Sequence, residues 1–465
     1  MGTLGNQPNF GVYGFTRTQA ESFNGTGSAT SFTLGHHVKN AIDIEVLVDN
    51  VQQSPFDGSY SVSGTTLTFS GAPASGTNNV YVMYRQVGTV IDTQALVPDD
   101  SSVTYAKLSN DIPLGNRNLV INGAMQVAQR GTTFDYDTPS GNKYTTCDRF
   151  SIYKSSGTYS LTNTQSTDAP VGFSHSYKVV CDAVYTPSAS DNIGINQNIE
   201  VSNRLQEFGF GTSEAKDITF SFYVKGTPKT YTFQTNYVGT DGEQKSQNKA
   251  FTVTSTWTRK VITFSAGGTS SSVGIEPDQT SAGMNFRVWL AAGPNDIASE
   301  ITTWTANPPP TYEAATGQGN FFSAVGNEFL ITGIQLEVGN KVTPFEHKSY
   351  VDELAACQRY FYRHADDTSR RTVAASFRTT ASNVEGLVTF PCTMRASPSL
   401  ISTSGTDYYR DYCLGNGTNT TGVTAHHIYL NNAVLQWTGH PRTAGQAGYM
   451  RTNNASATID FDAEI

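Results

Sequence analysis

The sequence predicts an all-β protein made of several sandwich domains, and three observations support this fold class. Only 15% of the 465 residues are charged, against about 25% in ordinary soluble domains, whereas 11% are aromatic. The 42 glycines suit a chain of short strands with half-buried aromatic side chains joined by tight turns. Apolar residues recur with a period of two rather than 3.6, which favours strands over helices.

The N-terminal part of the chain predicts an arm followed by a small β-sandwich. Residues 1–20 are rich in Gly, Asn and Phe without periodicity, which indicates an extended arm. The sandwich is predicted over residues 21–91. Apolar residues alternate with others over 42–48, so this segment predicts a half-buried strand. The stretch "DGSYSVSGTTLTF" predicts two strands joined at Ser63-Gly64.

A polar linker precedes the longest β region. Residues 92–117 are polar and contain two bounding prolines, with apolar residues spaced for a short helix at 103–108. From 118 to 348, alternating stretches such as "DITFSFYVKG" are separated by Gly-rich turns. Many strands at this spacing predict a jelly-roll sandwich.

One helix is predicted at 349–365, before a distal β domain at 366–465. Ser349, followed by Asp352 three residues later, resembles a capping box with Asp in place of Glu or Gln. The helix is expected to end near Arg363. Its apolar stripe is predicted to consist of Val351, Leu354, Ala355, Phe361 and Tyr362.

Charge and hydropathy exclude several partners. The net charge of −9 and the pI near 5.4 argue against nucleic-acid binding and against docking on anionic membranes. No apolar run approaches the roughly 20 residues that span a bilayer, so membrane insertion is not expected. The first 20 residues have no apolar segment, and a signal peptide is not predicted.

Cysteine and histidine spacing predicts neither a metal site nor a cofactor. The five cysteines are widely spaced, which predicts reduced and mostly buried thiols. Adjacent histidines at 36–37 and 426–427 point to opposite faces of a strand and do not chelate one ion together. A structural calcium near Asn122 and Glu337 stays open, although the sequence does not show the six or more oxygen ligands that calcium takes.

The sequence also predicts that the protein is not an enzyme. A glycosidase needs two carboxylates on opposite sides of a sugar. The pairs Asp135 with Asp137 and Asp366 with Asp367 are instead loop charges. The nucleophile-elbow, phosphate-loop, dinucleotide and zinc-protease motifs are missing.

Several stretches, in order along more than half of the chain, resemble tail fibres and receptor-binding proteins of tailed bacteriophages. Residues 21–88, with "IEVLVDNVQQ" and "YSVSGTTLTFSGAPASGTNNVYVMYR", are similar to the small β module near the N-terminus of short-tailed-phage fibres. "VTYAKLSNDI" resembles the connector that follows it. "NLVINGAMQVAQRGTTF" and "YTTCDRFSIY" resemble the opening of a phage jelly-roll domain, which is also similar to carbohydrate-binding modules. "ELAACQRYFYR" and "VTFPCTMRASPSL" resemble the start of the distal part.

This resemblance implies a structural adhesin in the virion tail, an elongated multi-domain fibre that assembles as a homotrimer. Residues 1–91 would attach to phage tail tube or adaptor proteins. The distal part would adsorb to a host surface glycan such as lipopolysaccharide, or to a protein. Two alternatives stay open: a structural tail adaptor without receptor contact, and a secreted carbohydrate-binding protein.

The receptor contacts are predicted in residues 400–450, where the resemblance weakens. Aromatic and charged residues concentrate there in a predicted loop, with the composition of interface hot spots. The predicted stacking groups are Tyr408, Tyr409, Tyr412 and Trp437, and the predicted polar readers are Arg410, Asp411 and His440. The alternative is that these residues pack inside a small β domain. In the jelly roll, the positions of Tyr223, Arg287 and Trp289 alternate with the apolar positions of their strands, so these three side chains are predicted to point away from the apolar faces. They would then line a sugar groove or pack against another subunit.

Overall fold

The computed structural model describes residues 19–85, 115–136, 141–201, 203–268, 274–275, 282–306, 313–366, 370–438 and 443–465. The chain divides into two compact units, residues 1–108 and 109–465. In the described residues, 31 strands and two short α-helices confirm the all-β prediction. Most of the predicted arm (1–18) and most of the predicted linker, including the short helix at 103–108, lie outside the described residues.

The first unit is the predicted small sandwich. Its strands are β1 (Ala20–Gly25), β2 (Ser31–Val38), β3 (Ile44–Val48), β4 (Val51–Gln53), β5 (Tyr60–Phe69) and β6 (Gly76–Tyr84). One sheet has the order β1-β6-β3-β4, and β2 pairs with β5. Val46, Leu67, Val80 and Val82 are fully buried in its core.

Two details of this unit differ from the prediction. The strand expected from residue 42 begins at Ile44, because Ala41–Asp43 forms a 3-10 turn in which Asp43 accepts a hydrogen bond from Asn40 N at 3.0 Å. The two strands expected around Ser63-Gly64 are the single strand β5. Gly64 has a φ of +63° at an irregularity of the β2–β5 pairing, a conformation that glycine adopts without strain.

Residues 118–348 form two large sheets and one separate parallel pair of two-residue strands. Their strands are β7 (Thr133–Tyr136), β8 (Gly141–Tyr144), β9 (Ser151–Lys154), β10 (Leu161–Ser166), β11 (Ser176–Cys181), β12 (Asn192–Glu200), β13 (Ile218–Gly226), β14 (Lys229–Val238), β15 (Gln244–Val253), β16 (Thr258–Phe264), β17 (Ala282–Ala292), β18 (Ile297–Ala298), β19 (Thr305–Ala306), β20 (Ala314–Ala315) and β21 (Glu328–Val338). A six-stranded sheet, β16-β13-β21-β11-β10-β7, faces a seven-stranded sheet, β19-β15-β14-β17-β12-β9-β8. The parallel pair is β18 with β20, and helix α1 (Asn203–Gln206) follows β12.

Aromatic rings fill the space between these two sheets. Phe233 stacks on Phe286 and on Phe222, with ring centroids 5.5 and 5.1 Å apart. Phe220 packs against both Phe233 and Phe286. These residues alternate with polar ones along their strands, so the period-two pattern predicted the face that is buried.

The predicted helix is shorter than expected. Helix α2 spans Tyr350–Gln358, and Ser349 caps it by accepting a hydrogen bond from Asp352 N at 3.2 Å, as the capping pattern predicted. The predicted apolar stripe of the helix is wrong. Val351, which belonged to it, is 72% exposed, whereas Glu353 and Cys357 lie on the buried face. The helix ends early because the following residues enter a strand that pairs with the last strand of the chain.

The distal part is a second two-sheet domain. Its strands are β22 (Phe361–Ala365), β23 (Thr372–Arg378), β24 (Asn383–Thr389), β25 (Ser399–Ser402), β26 (Tyr409–Cys413), β27 (Asn416–Thr420), β28 (Thr424–Ile428), β29 (Asn432–Thr438), β30 (Ala447–Thr452) and β31 (Ile459–Asp462). A three-stranded sheet, β22-β31-β25, packs on a seven-stranded sheet, β27-β26-β30-β23-β24-β29-β28.

Non-covalent contacts connect the distal domain to the jelly roll. Arg149 forms a buried ion pair with Glu464, and Arg130 lies 3.2 Å from Asp462. The guanidinium of Arg149 also stacks 3.5 Å from the ring centroid of Tyr360. The two domains therefore form one compact unit. All five cysteines are free thiols, and four of them are buried.

Candidate receptor-binding face

The predicted contact cluster lies on a strand rather than in a loop, and strand geometry divides it. In β26 the residues Tyr409, Asp411 and Cys413 are buried, whereas Arg410 and Tyr412 between them are half-buried. Successive side chains of a strand point to opposite faces. One half of the cluster therefore enters the domain core, and the other half lies on the outer face of the seven-stranded distal sheet.

Two of the predicted stacking groups are core residues. Tyr409 is fully buried, and its hydroxyl donates to the carbonyl oxygens of Thr403 and Thr458, both at 2.8 Å. Burial raises the pKa of Tyr409 to about 12. Trp437 is also fully buried among the apolar side chains of this core. The prediction that Tyr409 and Trp437 stack on a ligand is therefore wrong.

The remaining predicted residues divide in the same way. Asp411 is buried and forms an ion pair with Arg378, so its role as a polar reader is also wrong. Tyr408 is half-buried and packs against the distal core. His440 lies outside the described residues. Arg410 and Tyr412 lie on the outer face of the sheet, which is the position that contact with a receptor requires.

The structure places partners beside Arg410 and Tyr412 on the outer face. Tyr449 of β30 is directly opposite Tyr412, and the two rings stack with centroids 5.3 Å apart and an interplanar angle of 9°. The guanidinium carbons of Arg451 and Arg410 lie 4.3 and 5.0 Å from the Tyr412 centroid. Arg451 also donates to the Tyr412 hydroxyl at 2.7 Å.

An apolar margin extends this surface across β23 and β24. Phe377 and Leu387 are 53% and 59% exposed, and Tyr449 is 42% exposed. Their strand neighbours Ser376 and Val388 are buried, which confirms that Phe377 and Leu387 point outward. We call this surface the distal face. It consists of Phe377, Leu387, Arg410, Tyr412, Tyr449 and Arg451.

The distal face carries two positive charges that are not neutralised locally. Within the described residues, no carboxylate lies within 4.0 Å of Arg410 or Arg451. The Nε–H groups of both arginines are buried without a hydrogen-bond partner in this part of the chain. Aromatic rings bind the C–H faces of sugars, while guanidinium groups donate to hydroxyl, carboxylate or phosphate oxygens.

Sequence reasoning missed Arg451, Phe377 and Leu387 as members of this face. They lie on strands distant in sequence, and their assembly depends on the pairing of β26 with β30 and of β30 with β23. The parity of "GYMRT" would have placed Tyr449 and Arg451 on one face. It would not have indicated which strand lies beside them.

A second cluster lies on the outer side of the seven-stranded jelly-roll sheet. Arg287 and Trp289 of β17 point away from the core, as their parity predicted. The Arg287 guanidinium stacks 3.9 Å from the centroid of Tyr153, whose ring is 5.8 Å from that of Trp289. Tyr223 is not part of this cluster. It lies on β13 in the other sheet, packed against Phe173.

Hydrogen bonds hold this jelly-roll cluster in place. Arg287 Nε donates to Asn196 Oδ1, and Trp289 Nε1 donates to Gln234 Oε1, both at 3.0 Å. Burial raises the pKa of the nearby Glu313 carboxyl to about 7, although the positive charge of Arg287 acts to lower it. Trp289 is fully buried, so the surface of this cluster is formed by Tyr153 and Arg287.

The oxygens considered for calcium are engaged by protein donors. Asn122 Oδ1 accepts from Val127 N at 3.0 Å, and Glu337 lies 3.3 Å from Arg117. In the described part of the chain, no group of three or more His, Cys, Asp and Glu residues is arranged to hold a metal ion. None of the helices described here has the length and apolarity to cross a bilayer.

Comparisons with known proteins give weak structural similarities and no family. No protein-family model and no curated protein matches the chain. The enzymatically active domain of tailspike protein 4 from bacteriophage CBA120 is similar at a TM-score of 0.25 and 12% identity, over 48% of this chain. This chain spans 21% of that domain.

Carbohydrate-binding modules are also among the similar structures. A family 11 module from Clostridium thermocellum matches at a TM-score of 0.23 and 12% identity, over 44% of this chain and 99% of the module. A tandem family 22 domain from Paenibacillus barcinonensis matches at 0.22 and 10% identity, over 67% of this chain and 91% of that domain. At these TM-scores, a function has to be argued from the chain's own geometry.

Proposed function

We propose that this protein is a tail fibre of a tailed bacteriophage that adsorbs to a host surface glycan through the distal face. Residues 1–91 attach it to the virion tail in this proposal. The observation that carries the receptor assignment is the stack of the half-buried Tyr412 on the exposed Tyr449, with Arg410 and Arg451 beside it.

The chemistry of the distal face suits an acidic glycan. The chain as a whole has a net charge of −9, yet no carboxylate of the described residues lies within 4.0 Å of the two arginines of this surface. Phosphate and carboxylate groups, such as those of lipopolysaccharide, complement guanidinium groups. The stacked rings and Phe377 add apolar contact area for sugar rings at little cost in conformational entropy.

A single contact of this kind binds weakly, so adsorption should depend on several copies. In a homotrimer, the second and third distal faces would bind at a high effective concentration. A substitution that weakens one face by about 1–2 kcal/mol would then reduce adsorption by more than its effect on one copy.

The jelly-roll cluster is a second candidate for the glycan site. Its half-buried Tyr153 and Arg287 combine an aromatic ring with a guanidinium beside Glu313. A sugar placed there would contact the ring and donate its hydroxyls to the carboxylate. The greater exposure of the distal face favours the distal site over this one.

The test compares adsorption of purified protein variants to host cells. Tyr449→Ala and Arg451→Gln should reduce adsorption at least tenfold with an unchanged melting temperature. Tyr350→Ala is the matched control, because Tyr350 is 54% exposed on α2 and away from the distal face. Normal adsorption by both distal variants, together with a loss in Arg287→Ala, would move the receptor site to the jelly roll.

The attachment role is tested separately. A protein lacking residues 1–91 should still adsorb to cells but should not be incorporated into virions. Incorporation at the normal copy number would refute the assignment of these residues. Failure of the full-length protein to adsorb to any host cell would instead favour the structural adaptor.

A further inference from the structure

A cavity of about 200 Å³ lies where the jelly roll meets the segment around α2. Residues of β12 form one wall, residues 118–121 form another, and Lys348 and Tyr360 close it from the side of α2. Ligand pockets for drug-sized molecules usually measure about 300–1,000 Å³. This cavity therefore suits one monosaccharide or a hydrated ion rather than an oligosaccharide.

The lining of the cavity is basic. It contains the three cations Arg149, Arg204 and Lys348, against the single carboxylate of Glu200. That carboxylate is already engaged, because Arg359 donates to it at 2.7 and 3.1 Å and the Tyr360 hydroxyl donates at 2.7 Å. Two carboxylates outside the lining pair with two of the cations, Glu464 with Arg149 and Glu353 with Lys348. Arg204 has no carboxylate within 4.0 Å among the described residues, so it supplies the unpaired positive charge of the cavity.

Two of these cations are held largely by neutral groups. Arg204 donates to the main-chain oxygens of Asn116 and Asn118, and Lys348 Nζ lies 3.4 Å from the oxygen of Asn118. The carboxylate of Glu353 is 3.7 Å from Lys348 Nζ, a looser ion pair. Main-chain carbonyls therefore fix the positions of both positive groups, and of the two only Lys348 has a carboxylate within 4.0 Å among the described residues.

Arg149 supplies an unused donor in the same lining. Its side chain is 1% exposed, its two terminal nitrogens bind Glu464 and the oxygen of Asn198, and its Nε–H has no partner in the described residues. A buried donor without a partner costs about 1–3 kcal/mol, so a bound acceptor at this position would relieve a penalty. The ring of Tyr360 and the side chains of Leu119 and Ile199 add apolar surface.

We propose that this cavity binds a small sugar that carries an oxyanion, a phosphate or a carboxylate. The oxyanion would accept from Arg204 and Lys348, and the sugar ring would lie against the apolar lining. The site is separate from the distal face and does not depend on the proposed receptor contact. A ligand here would contact both the jelly roll and Tyr360, and so would link the two domains.

Isothermal titration calorimetry with glucose 6-phosphate tests this proposal, with glucuronate, inorganic phosphate and glucose as comparisons. Glucose 6-phosphate or glucuronate should bind at least tenfold more tightly than glucose. Lys348→Gln and Arg204→Gln should each weaken that binding at least fivefold. Lys260→Gln, a lysine on β16 outside the cavity, is the control and should leave it unchanged.

Three outcomes would overturn the proposal: no binding of any oxyanion, equal binding of glucose, or an equal loss in Lys260→Gln. Circular dichroism and the melting temperature identify a variant that fails to fold. If Arg204→Gln fails to fold, Lys348→Gln provides the second test. Tyr449→Ala should retain full glucose 6-phosphate binding, which separates this site from the proposed receptor site.

Discussion

Replacing Glu464 by alanine is expected to destabilise residues 109–465, because its carboxylate neutralises a buried guanidinium. The side chains of Arg149 and Glu464 are 1% and 4% exposed. In the variant, Arg149 keeps the Asn198 carbonyl and the Tyr360 ring as neighbours but loses its counter-charge. Removing one partner of a buried ion pair costs about 3–5 kcal/mol.

Tryptophan fluorescence during urea unfolding measures this effect selectively. All four tryptophans, at positions 257, 289, 304 and 437, belong to the second unit, so the signal does not report on residues 1–108. The midpoint should shift to lower urea by an amount corresponding to about 3–5 kcal/mol. Glu214→Ala, at an exposed glutamate, is the control.

A double variant separates the cost of an unpaired charge from the loss of contact. Arg149→Met combined with Glu464→Met should recover much of the stability, because replacing both ions by apolar groups is often neutral. A Glu464→Ala shift no larger than that of Glu214→Ala would refute the reasoning. It would mean that water or another acid neutralises Arg149 when Glu464 is absent.

Three further predictions concern stability, pH and assembly. Arg378→Met should lower the unfolding free energy by about 3–5 kcal/mol, because it leaves Asp411 buried without its partner, and urea unfolding measures the loss. Since the pKa of Glu313 is raised from 4.5 to about 7, its contribution to stability is complete below pH 4.5 and is lost as pH rises through 7. Glu313→Gln should therefore flatten the pH dependence of the melting temperature between pH 5 and 7, and an unchanged slope would contradict this role. Light scattering should give three times the chain mass of 50.2 kDa, and a monomer at micromolar concentration would exclude the trimer.

Much of the fold was predictable because its causes are local. Alternation of apolar and polar residues reports which side of a strand is buried, and turn residues report where strands end. The sandwich of residues 21–91 and the jelly roll followed from these patterns. The end of α2 did not, because residues 361–365 become a strand only through pairing with β31 near the C-terminus.

The candidate site shows the same division. The sequence by itself determined that the distal part is β-rich, since strand alternation is a local property, but it predicted a loop rather than a strand for Arg410 and Tyr412. Only the tertiary structure decided that Tyr409, Asp411 and Trp437 belong to the core and that Tyr449 and Arg451 lie beside Tyr412. Which face of a strand is buried, and which strand becomes its neighbour, depends on contacts between residues far apart in the chain, and no local pattern encodes that choice.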